Sequence, residues 1–303
     1  MRYDLFGFIL ETQLEFPILQ ITQKQNSDNI IKLSVLPYEK NSEHDLNDNK
    51  NNFVINFGIN LIYIVPKPEN PCNDITVFSD EEEKVRSSFL NIPMSLFLLR
   101  YKGFLLHISC IEKSGILIGF CGEKGVGKST ITFLLSKYYN LFSNDALYVQ
   151  SEVNNIVGYR TNSFIRVAQN TFEMYGKEND FHKLNKNIMG KAYVFPEQMG
   201  LKSSKNNTGQ LKRIYFLKRY NDITIKNIRI ESFIKKKLYL FNNIIGAYHI
   251  KDELFLSMAS WEAYTCLMNN VEFFEMNVPD NLDLTKSTIE NKMSELFDFV
   301  SQK

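Results

Sequence analysis

The sequence has no excess of charge of either sign. Its 303 residues include 35 Lys and Arg and 34 Asp and Glu, which gives a formal net charge of +1. A protein that holds nucleic acid or an anionic membrane through a global basic field is therefore excluded. Hydrophobic residues make up 44% and charged residues 23%, as in an ordinary globular protein. We expect neither nucleic acid nor a membrane as a partner.

Long apolar runs and cysteine motifs are also missing. The densest apolar run, 104–121, is interrupted by polar residues, so no stretch reaches the roughly 18 apolar residues that span a bilayer. The N-terminus lacks the basic, apolar and small-residue regions of a secretion signal. The four cysteines form no C-x-x-C pair, and scattered cysteines are typical of reduced core residues in a cytosolic protein. A cytoplasmic location is therefore expected.

A change of pattern near residue 100 predicts two domains. Residues 1–100 contain β-branched runs, such as 30–36, separated by polar loops, and this favours a β-rich N-terminal domain. Residues 101–303 alternate strand-like runs with helical periodicity, and helices are expected at 258–267 and 289–300. The second domain carries the motifs that point to chemistry.

The most informative motif is glycine-rich. Residues 122–129, GEKGVGKS, match the pattern G-x-x-x-x-G-K-[ST]. Its glycines allow positive φ and a close approach of the backbone N–H groups to a phosphate. Lys128 is expected to reach the β- and γ-phosphates of a nucleotide, and the Ser129 hydroxyl suits Mg²⁺. The candidate nucleotide-binding residues are Gly122, Glu123, Lys124, Gly125, Val126, Gly127, Lys128, Ser129 and Thr130.

The elements around this motif agree with it. An apolar strand at 116–121 feeds the loop, a hairpin turn is predicted at 113–115, and helical spacing follows at 130–138. The alternative, a glycine-rich turn with a surface lysine, requires the motif and both flanking elements to coincide by chance. The next strand to end in a carboxylate ends at Asp145, only 17 positions after Lys128. This layout is unusually compact.

A histidine lies on the strand that precedes the loop. With the hairpin turn at 113–114, His107 falls near the level of residues 120–122 and can face the phosphate site. It can equally be a core histidine among apolar neighbours. Its pKa near neutrality suits either environment, so position alone leaves both interpretations open.

These residues resemble a known family. The run LLHISCIEKSGILIGFCGEKGVGKSTITFLLSKYYNLFSNDALYV is similar to the catalytic core of the HPr kinase/phosphorylase superfamily, above all to the HPr-kinase-like proteins of ribosomal (lasso) peptide biosynthesis. The likeness is specific over 104–147, loose over 150–300 and weak before 100. It implies a mixed α/β fold: a P-loop kinase core of the HPr kinase/PEP carboxykinase-like type, with a β-rich N-terminal domain.

Carried over residue by residue, the resemblance assigns roles. His107 matches the strand histidine of the family, which favours a functional histidine. Asn144 and Asp145 align with a pair of adjacent aspartates, and here the sequence departs because the first is an amide. An amide oxygen can hold Mg²⁺ or water but cannot accept a proton, so Asp145 is the expected base. The implied catalytic residues are Asp145, His107 and Lys128, and the implied magnesium ligands are Ser129, Asn144 and Asp145.

Several other basic residues are weaker candidates for contact with a phosphoryl group or a substrate. Lys191, Arg160 and Arg166 are expected to be solvated surface cations, with contact to a transferred phosphoryl group as the alternative. The run 235–237, three lysines, is expected to be an exposed turn between strands, with contact to an acidic peptide as the alternative.

The leading hypothesis is a kinase that uses ATP and Mg²⁺. The resemblance implies transfer to a serine hydroxyl of a peptide or small protein, such as a lasso precursor peptide. One alternative is a catalytically weakened nucleotide-binding module, in which Asp145 must serve the metal. Another is a small-molecule hydroxyl kinase with a pocket lined by the polar loops within 175–212. The sequence leaves open the acceptor, the reverse reaction, the oligomeric state, a homo-oligomer included, and the role of residues 1–100.

Overall fold

The computed structural model describes most of the chain as two compact units. The described residues are 1–16, 19, 22, 30–38, 51–57, 60–67, 69–101, 103–161, 164–173, 181–184, 186, 190–220, 227–247, 258–279 and 296. Unit 1 comprises Met1–Leu105, Tyr148–Ser151 and Ile244–Thr265. Unit 2 comprises Leu106–Leu147, Glu152–Asn243 and Cys266–Lys303.

Unit 1 therefore includes three segments, 101–105, 148–151 and 244–265, that the predicted division at residue 100 places in the second domain. Hydrogen bonds of the Ile245 backbone show why the segment that begins at residue 244 belongs to unit 1. The Ile245 N–H donates to the Leu105 carbonyl at 2.9 Å, and the Ser95 hydroxyl donates to the Ile245 carbonyl at 2.5 Å. Such contacts join positions about 140 to 150 residues apart, which no local pattern indicates.

Unit 1 is built on a six-stranded sheet with the order β1-β2-β3-β6-β5-β4. Burial alternates along β3, so one face of the sheet is covered and the other is not. The strand predicted at 30–36 is confirmed as β3. The strands are β1 (Arg2–Leu5), β2 (Phe8–Thr12), β3 (Ile30–Leu36), β4 (Asn52–Asn56), β5 (Ile62–Pro66) and β6 (Asp74–Phe78).

Helices cover this sheet. The buried Tyr63 of β5 donates its hydroxyl to the Val85 carbonyl at 3.2 Å and lies 2.9 Å from the Ser88 hydroxyl, which holds the first helix in place. Two further strands, β7 and β11, pair with each other. The remaining elements that lie wholly or mostly in this unit are α1 (Glu82–Ser88), α2 (Ile92–Leu98), the 3₁₀ turn Leu99–Tyr101, β7 (Gly103–Leu106), β11 (Leu147–Glu152) and α6 (Met258–Asn270).

Unit 2 is built around one long strand, β15. Strands β9 and β17 pair with it in parallel, and β12 pairs with its first residues in antiparallel fashion. On the other side of β9 the order continues through β8 to β10. The strands are β8 (Ser109–Lys113), β9 (Ile116–Cys121), β10 (Asn140–Ser143), β12 (Asn155–Arg160), β13 (Ile165–Val167), β14 (Ala192–Val194), β15 (Thr208–Tyr220), β16 (Asn227–Arg229) and β17 (Glu272–Pro279).

The β8–β9 hairpin confirms the predicted turn. Ser114 and Gly115 form the two-residue loop with φ of 53° and 78°, the left-handed pair that type I′ turns require. Helix α3 packs on this hairpin, with Ile131 and Leu135 fully buried in the core beside Phe120. Truncating such a side chain to Ala costs about 2–5 kcal/mol. The helices of this unit are α3 (Lys128–Leu135), α4 (Gln169–Glu173) and α5 (Phe233–Asn242), with a 3₁₀ turn at Pro196–Met199.

Several sequence predictions need correction or fall outside the described residues. The run 235–237 lies inside helix α5 rather than in a turn, because the Ser232 hydroxyl caps the helix by accepting from the Lys235 N–H at 3.4 Å. Strand β15 begins within the predicted loop region 175–212, because β12 pairs with its first residues. The earlier part of that region is only partly described, and the predicted helix at 289–300 lies outside the described residues. No helix in the described part of the chain is long and apolar enough to cross a membrane.

Candidate functional site

The backbone of the glycine loop connects β9 to α3. Gly122, Gly125 and Gly127 have φ of 139°, 87° and 108°, which L side chains rarely adopt. At Gly122 an added Cβ would lie 2.9 Å from the Leu217 carbonyl oxygen, whereas at Gly125 it would meet no atom within 4 Å. The middle of the loop therefore borders open space, as a phosphate cradle must.

Lys128 folds back over this loop. Its side chain is buried, with the residue 7% exposed. The Nζ donates to the carbonyl oxygens of Gly122 at 2.7 Å and Glu123 at 3.1 Å. Burial lowers the pKa of Lys128, and the Cys121 and Asp145 side chains oppose that effect. A buried ammonium held by carbonyls alone gains much from a nearby anion.

Asn144 joins the loop to the neighbouring strand ends. It is fully buried, and its Oδ1 accepts from the Ser129 hydroxyl at 3.1 Å and from the Ser109 hydroxyl at 3.0 Å. Its Nδ2 donates to Asp145 Oδ2 at 3.0 Å. The structure thus brings together all three predicted magnesium ligands, Ser129, Asn144 and Asp145. The described residues contain no group of three or more His, Cys, Asp and Glu side chains that could hold a metal.

Asp145 is paired with an arginine. Both Nε and Nη2 of Arg166 contact Asp145 Oδ2, the same oxygen that Asn144 reaches. Asp145 also has a φ of 68°, a costly conformation for a residue with a side chain, and one that clusters at functional sites. The expectation that Arg166 is a solvated surface cation is wrong, because β13 carries it to this carboxylate. Arg160 lies elsewhere and donates to the Ser204 carbonyl at 2.6 Å.

His107 lies at the wall of the site rather than inside the core. Its backbone N–H donates to the Asn243 carbonyl at 2.7 Å, and its ring borders the cavities on both sides of the glycine loop. Burial, followed by the charge of Lys128, lowers its pKa to about 4, although Asp145 opposes the shift. The imidazole is therefore neutral at pH 7 and can exchange hydrogen bonds without adding charge.

Two cavities flank the loop. The smaller, of about 380 Å³, is bordered by Ser129, Thr130 and Asp145. The described residues that line it make it cationic, because they include five Lys and Arg side chains and one carboxylate, that of Asp145; the five are Lys124, Lys128, Arg166, Lys191 and Arg219. The larger cavity, of about 820 Å³, lies on the side of Gly122 and Glu123. The two share His107, Lys124, Gly125 and Arg219.

Sequence reasoning missed two residues that hold the loop in place. Asn243, at the end of α5, accepts the Gly122 N–H on Oδ1 at 3.1 Å and donates from Nδ2 to the Tyr239 carbonyl at 2.7 Å. Arg219 donates to the Gly125 carbonyl at 3.1 Å and to the Pro279 carbonyl at 2.9 Å. Asn243 is 121 positions from Gly122, so no local signal links them.

Comparisons with known proteins add little to this geometry. No protein-family model matches the sequence, and no curated protein matches it. Among solved structures, the HPr(Ser) kinase/phosphatase from Coxiella burnetii is similar over 65% of this chain and 95% of that chain, with 11% sequence identity and a TM-score of 0.36. A likeness at this level does not place the chain in a family.

Proposed function

We propose that this chain is a cytoplasmic phosphotransferase that moves the γ-phosphoryl group of ATP to a hydroxyl, with Mg²⁺ as the metal. The observation that carries the proposal is the glycine loop with the buried Lys128 folded over it, at the wall of a cavity with five cationic side chains and one carboxylate. The three flexible glycines and the first turn of α3 supply N–H groups for a polyphosphate.

The residues present fit a nucleotide with its metal. Ser129, Asn144 and Asp145 offer a hydroxyl, an amide oxygen and a carboxylate, which are the hard oxygen donors that Mg²⁺ prefers. The metal would take its other ligands from phosphate oxygens and water, as magnesium usually does at nucleotide sites. When bound, the metal neutralises charge that develops on the β- and γ-phosphates.

The chain's own cations bind and orient the phosphates. Lys128 exchanges its loop carbonyls for phosphate oxygens, and Arg166 and Arg219, which also line the cavity, bind further phosphate oxygens. An incoming phosphate competes with Asp145 for the Arg166 guanidinium, because both are anions within its reach. That exchange frees the carboxylate to accept the proton of the acceptor hydroxyl. The neutral His107 hydrogen-bonds at the junction of the two cavities.

The acceptor we propose is a serine of a peptide or small protein. Support for it comes from the sequence resemblance to kinases of ribosomal peptide biosynthesis, in the run 105–149. A lasso precursor peptide is therefore the first substrate to test.

A second candidate function is a nucleotide-binding module without transfer. It is favoured by two features: the amide at Asn144, which cannot take up a proton, and the salt bridge that engages Asp145. Such a module binds ATP but phosphorylates nothing, and Asn144→Asp would restore transfer.

The experiment is incubation of the full chain with γ-labelled ATP, Mg²⁺ and a candidate precursor peptide. We expect label on the peptide, with loss of transfer in Lys128→Ala and in Asp145→Asn. Calorimetric titration with ATP separates the two variants, because Lys128→Ala weakens binding whereas Asp145→Asn removes the base. Undiminished transfer by both variants would remove the assignment.

A further inference from the structure

The direction in which the nucleotide lies along the loop decides which cavity holds the nucleotide and which is open to the acceptor. A lysine at this position of the motif reaches the β- and γ-phosphates. The Lys128 Nζ donates to the carbonyl oxygens of Gly122 and Glu123, so the γ-phosphate of a bound triphosphate is expected at the first residues of the loop. Those residues border the larger cavity, while Ser129 and Thr130 border the smaller one. The larger cavity therefore opens beyond the group that is transferred.

The geometry points to helix α5 as the docking element for a polypeptide acceptor, whose chain lies in the larger cavity and whose hydroxyl reaches Asp145 of the smaller cavity past His107, which borders both. This inference rests on the proposed kinase function and names the kind of acceptor and where it binds. Asn242 lines the cavity, and Leu238 and Ile234 follow it at successive four-residue steps along the helix. Residues at this spacing form one ridge on a helix surface.

This ridge is apolar and exposed. Ile234 is 70% exposed, Leu238 58% and the adjacent Phe233 62%. Exposed apolar side chains grouped on one surface mark interaction sites, whereas single ones do not. Two of the three lysines between them are held by the fold: Lys235 Nζ lies 3.0 Å from Glu275, and Lys236 lies over the Phe273 ring at 5.5 Å. The apolar ridge rather than the lysine run is therefore the recognition surface.

The charges that line the larger cavity indicate which residue of the acceptor binds there. Among the described residues that border it, Lys124, Lys218 and Arg219 are basic and Glu123 is acidic. Lys218 is paired with Glu275 at 2.8 Å, so Lys124 and Arg219 are the cations that face an acceptor. An acidic residue close to the acceptor hydroxyl complements this wall. A small-molecule acceptor would fit the 820 Å³ cavity, but it would not contact the exposed apolar ridge outside the cavity.

The ridge also sets a spacing for the acceptor sequence. Ile234 lies eight residues from Asn242, which is about 12 Å along a helix at about 1.5 Å per residue. An extended peptide covers that distance with about four residues. Leu238, four residues from Asn242, lies about 6 Å along the helix, which corresponds to about two residues of an extended peptide. We therefore expect apolar residues to be preferred from about two to about four positions from the phosphorylated serine.

The test uses the full chain, γ-labelled ATP and Mg²⁺ with a positional library of twelve-residue peptides that contain one serine. The double variant Ile234→Ser/Leu238→Ser removes the ridge. The matched control is Ile228→Ser, which changes an exposed isoleucine of β16 in the same unit, 50% exposed. ATP affinity and the thermal midpoint are measured for all three proteins, because neither depends on the ridge.

The parent protein should prefer an acidic residue beside the serine and apolar residues at the stated spacing. The double variant should lose the apolar preference and about tenfold in kcat/KM through KM, with ATP affinity unchanged. An unchanged preference in the double variant overturns the inference, and so does transfer to free serine with none to any peptide. A protein that binds ATP but labels neither a peptide nor free serine is the nucleotide-binding module, and that result contradicts the kinase function on which the inference rests. Failure to bind ATP instead contradicts the kinase proposal itself.

Discussion

The neutral state of His107 gives a prediction about stability against pH. Its pKa is lowered from 6.5 to about 4, chiefly by burial and by Lys128. Below pH 6.5 the unfolded chain takes up a proton at this residue, whereas the folded protein does not until the pH nears 4. Stability is therefore complete above pH 6.5 and is lost as the pH falls towards 4. The full shift corresponds to about 3 kcal/mol, of which about 2 kcal/mol is lost by about pH 4.5.

The assay compares the parent protein with His107→Gln by urea denaturation at about pH 7 and pH 4.5. Glutamine keeps hydrogen-bonding groups at the site but does not titrate. Other acid-labile groups are shared, so they cancel in the difference between the two proteins. The parent should lose about 2 kcal/mol more than the variant. Equal losses would show that the imidazole is not held neutral and would refute the placement of His107 beside Lys128. Proton NMR offers an independent reading, because one of the four histidine signals should titrate near pH 4 and be absent from the variant.

Three further predictions concern the loop and its supports. Asn243→Ala leaves the Gly122 N–H without its acceptor, so ATP affinity, measured by calorimetry, should fall about tenfold, and the free energy of unfolding should fall by about 1–2 kcal/mol. The control Asn242→Ala, at the exposed neighbouring position, should change neither quantity. Gly122→Ala brings a Cβ to 2.9 Å from a carbonyl oxygen, so the free energy of unfolding should fall by about 1–3 kcal/mol. In Gly115→Asn the new Cβ meets no atom within 4 Å and asparagine tolerates the turn conformation, so the loss should be under about 1 kcal/mol. Arg166→Met removes one cation from the smaller cavity, so the Kd for ATP should rise about tenfold at low salt, and an unchanged Kd would remove that residue from phosphate binding.

Local features of the sequence were enough to predict the framework of the site. Strand β3, the turn at Ser114 and Gly115, and the succession of β9, loop and α3 all follow from patterns within about ten residues. The three predicted magnesium ligands do lie together, because β10 ends beside the first turn of α3. The strand, the turn and the loop with its flanking elements depend on hydrophobic period and turn chemistry, which the sequence shows directly, whereas the set of magnesium ligands was implied by the family resemblance.

Features that depend on tertiary contacts could not be predicted in the same way. Arg166 reaches Asp145 from 21 positions away, and Asn243 reaches Gly122 from 121 positions away. No periodicity or motif joins residues at such separations. The helix over 235–237 is different, because Ser232 at its start is a capping signal that was present in the sequence and that a turn assignment overlooked.

The central claim is that the glycine loop binds the phosphates of ATP, and the most direct measurement is a crystal structure of the full chain with Mg²⁺ and a non-hydrolysable ATP analogue. We expect the β- and γ-phosphates within hydrogen-bond distance of the Lys128 ammonium and of the loop N–H groups, with the Arg166 guanidinium drawn from Asp145 towards phosphate. A loop without nucleotide in crystals grown at saturating analogue, or an analogue bound at a different surface, would contradict the account.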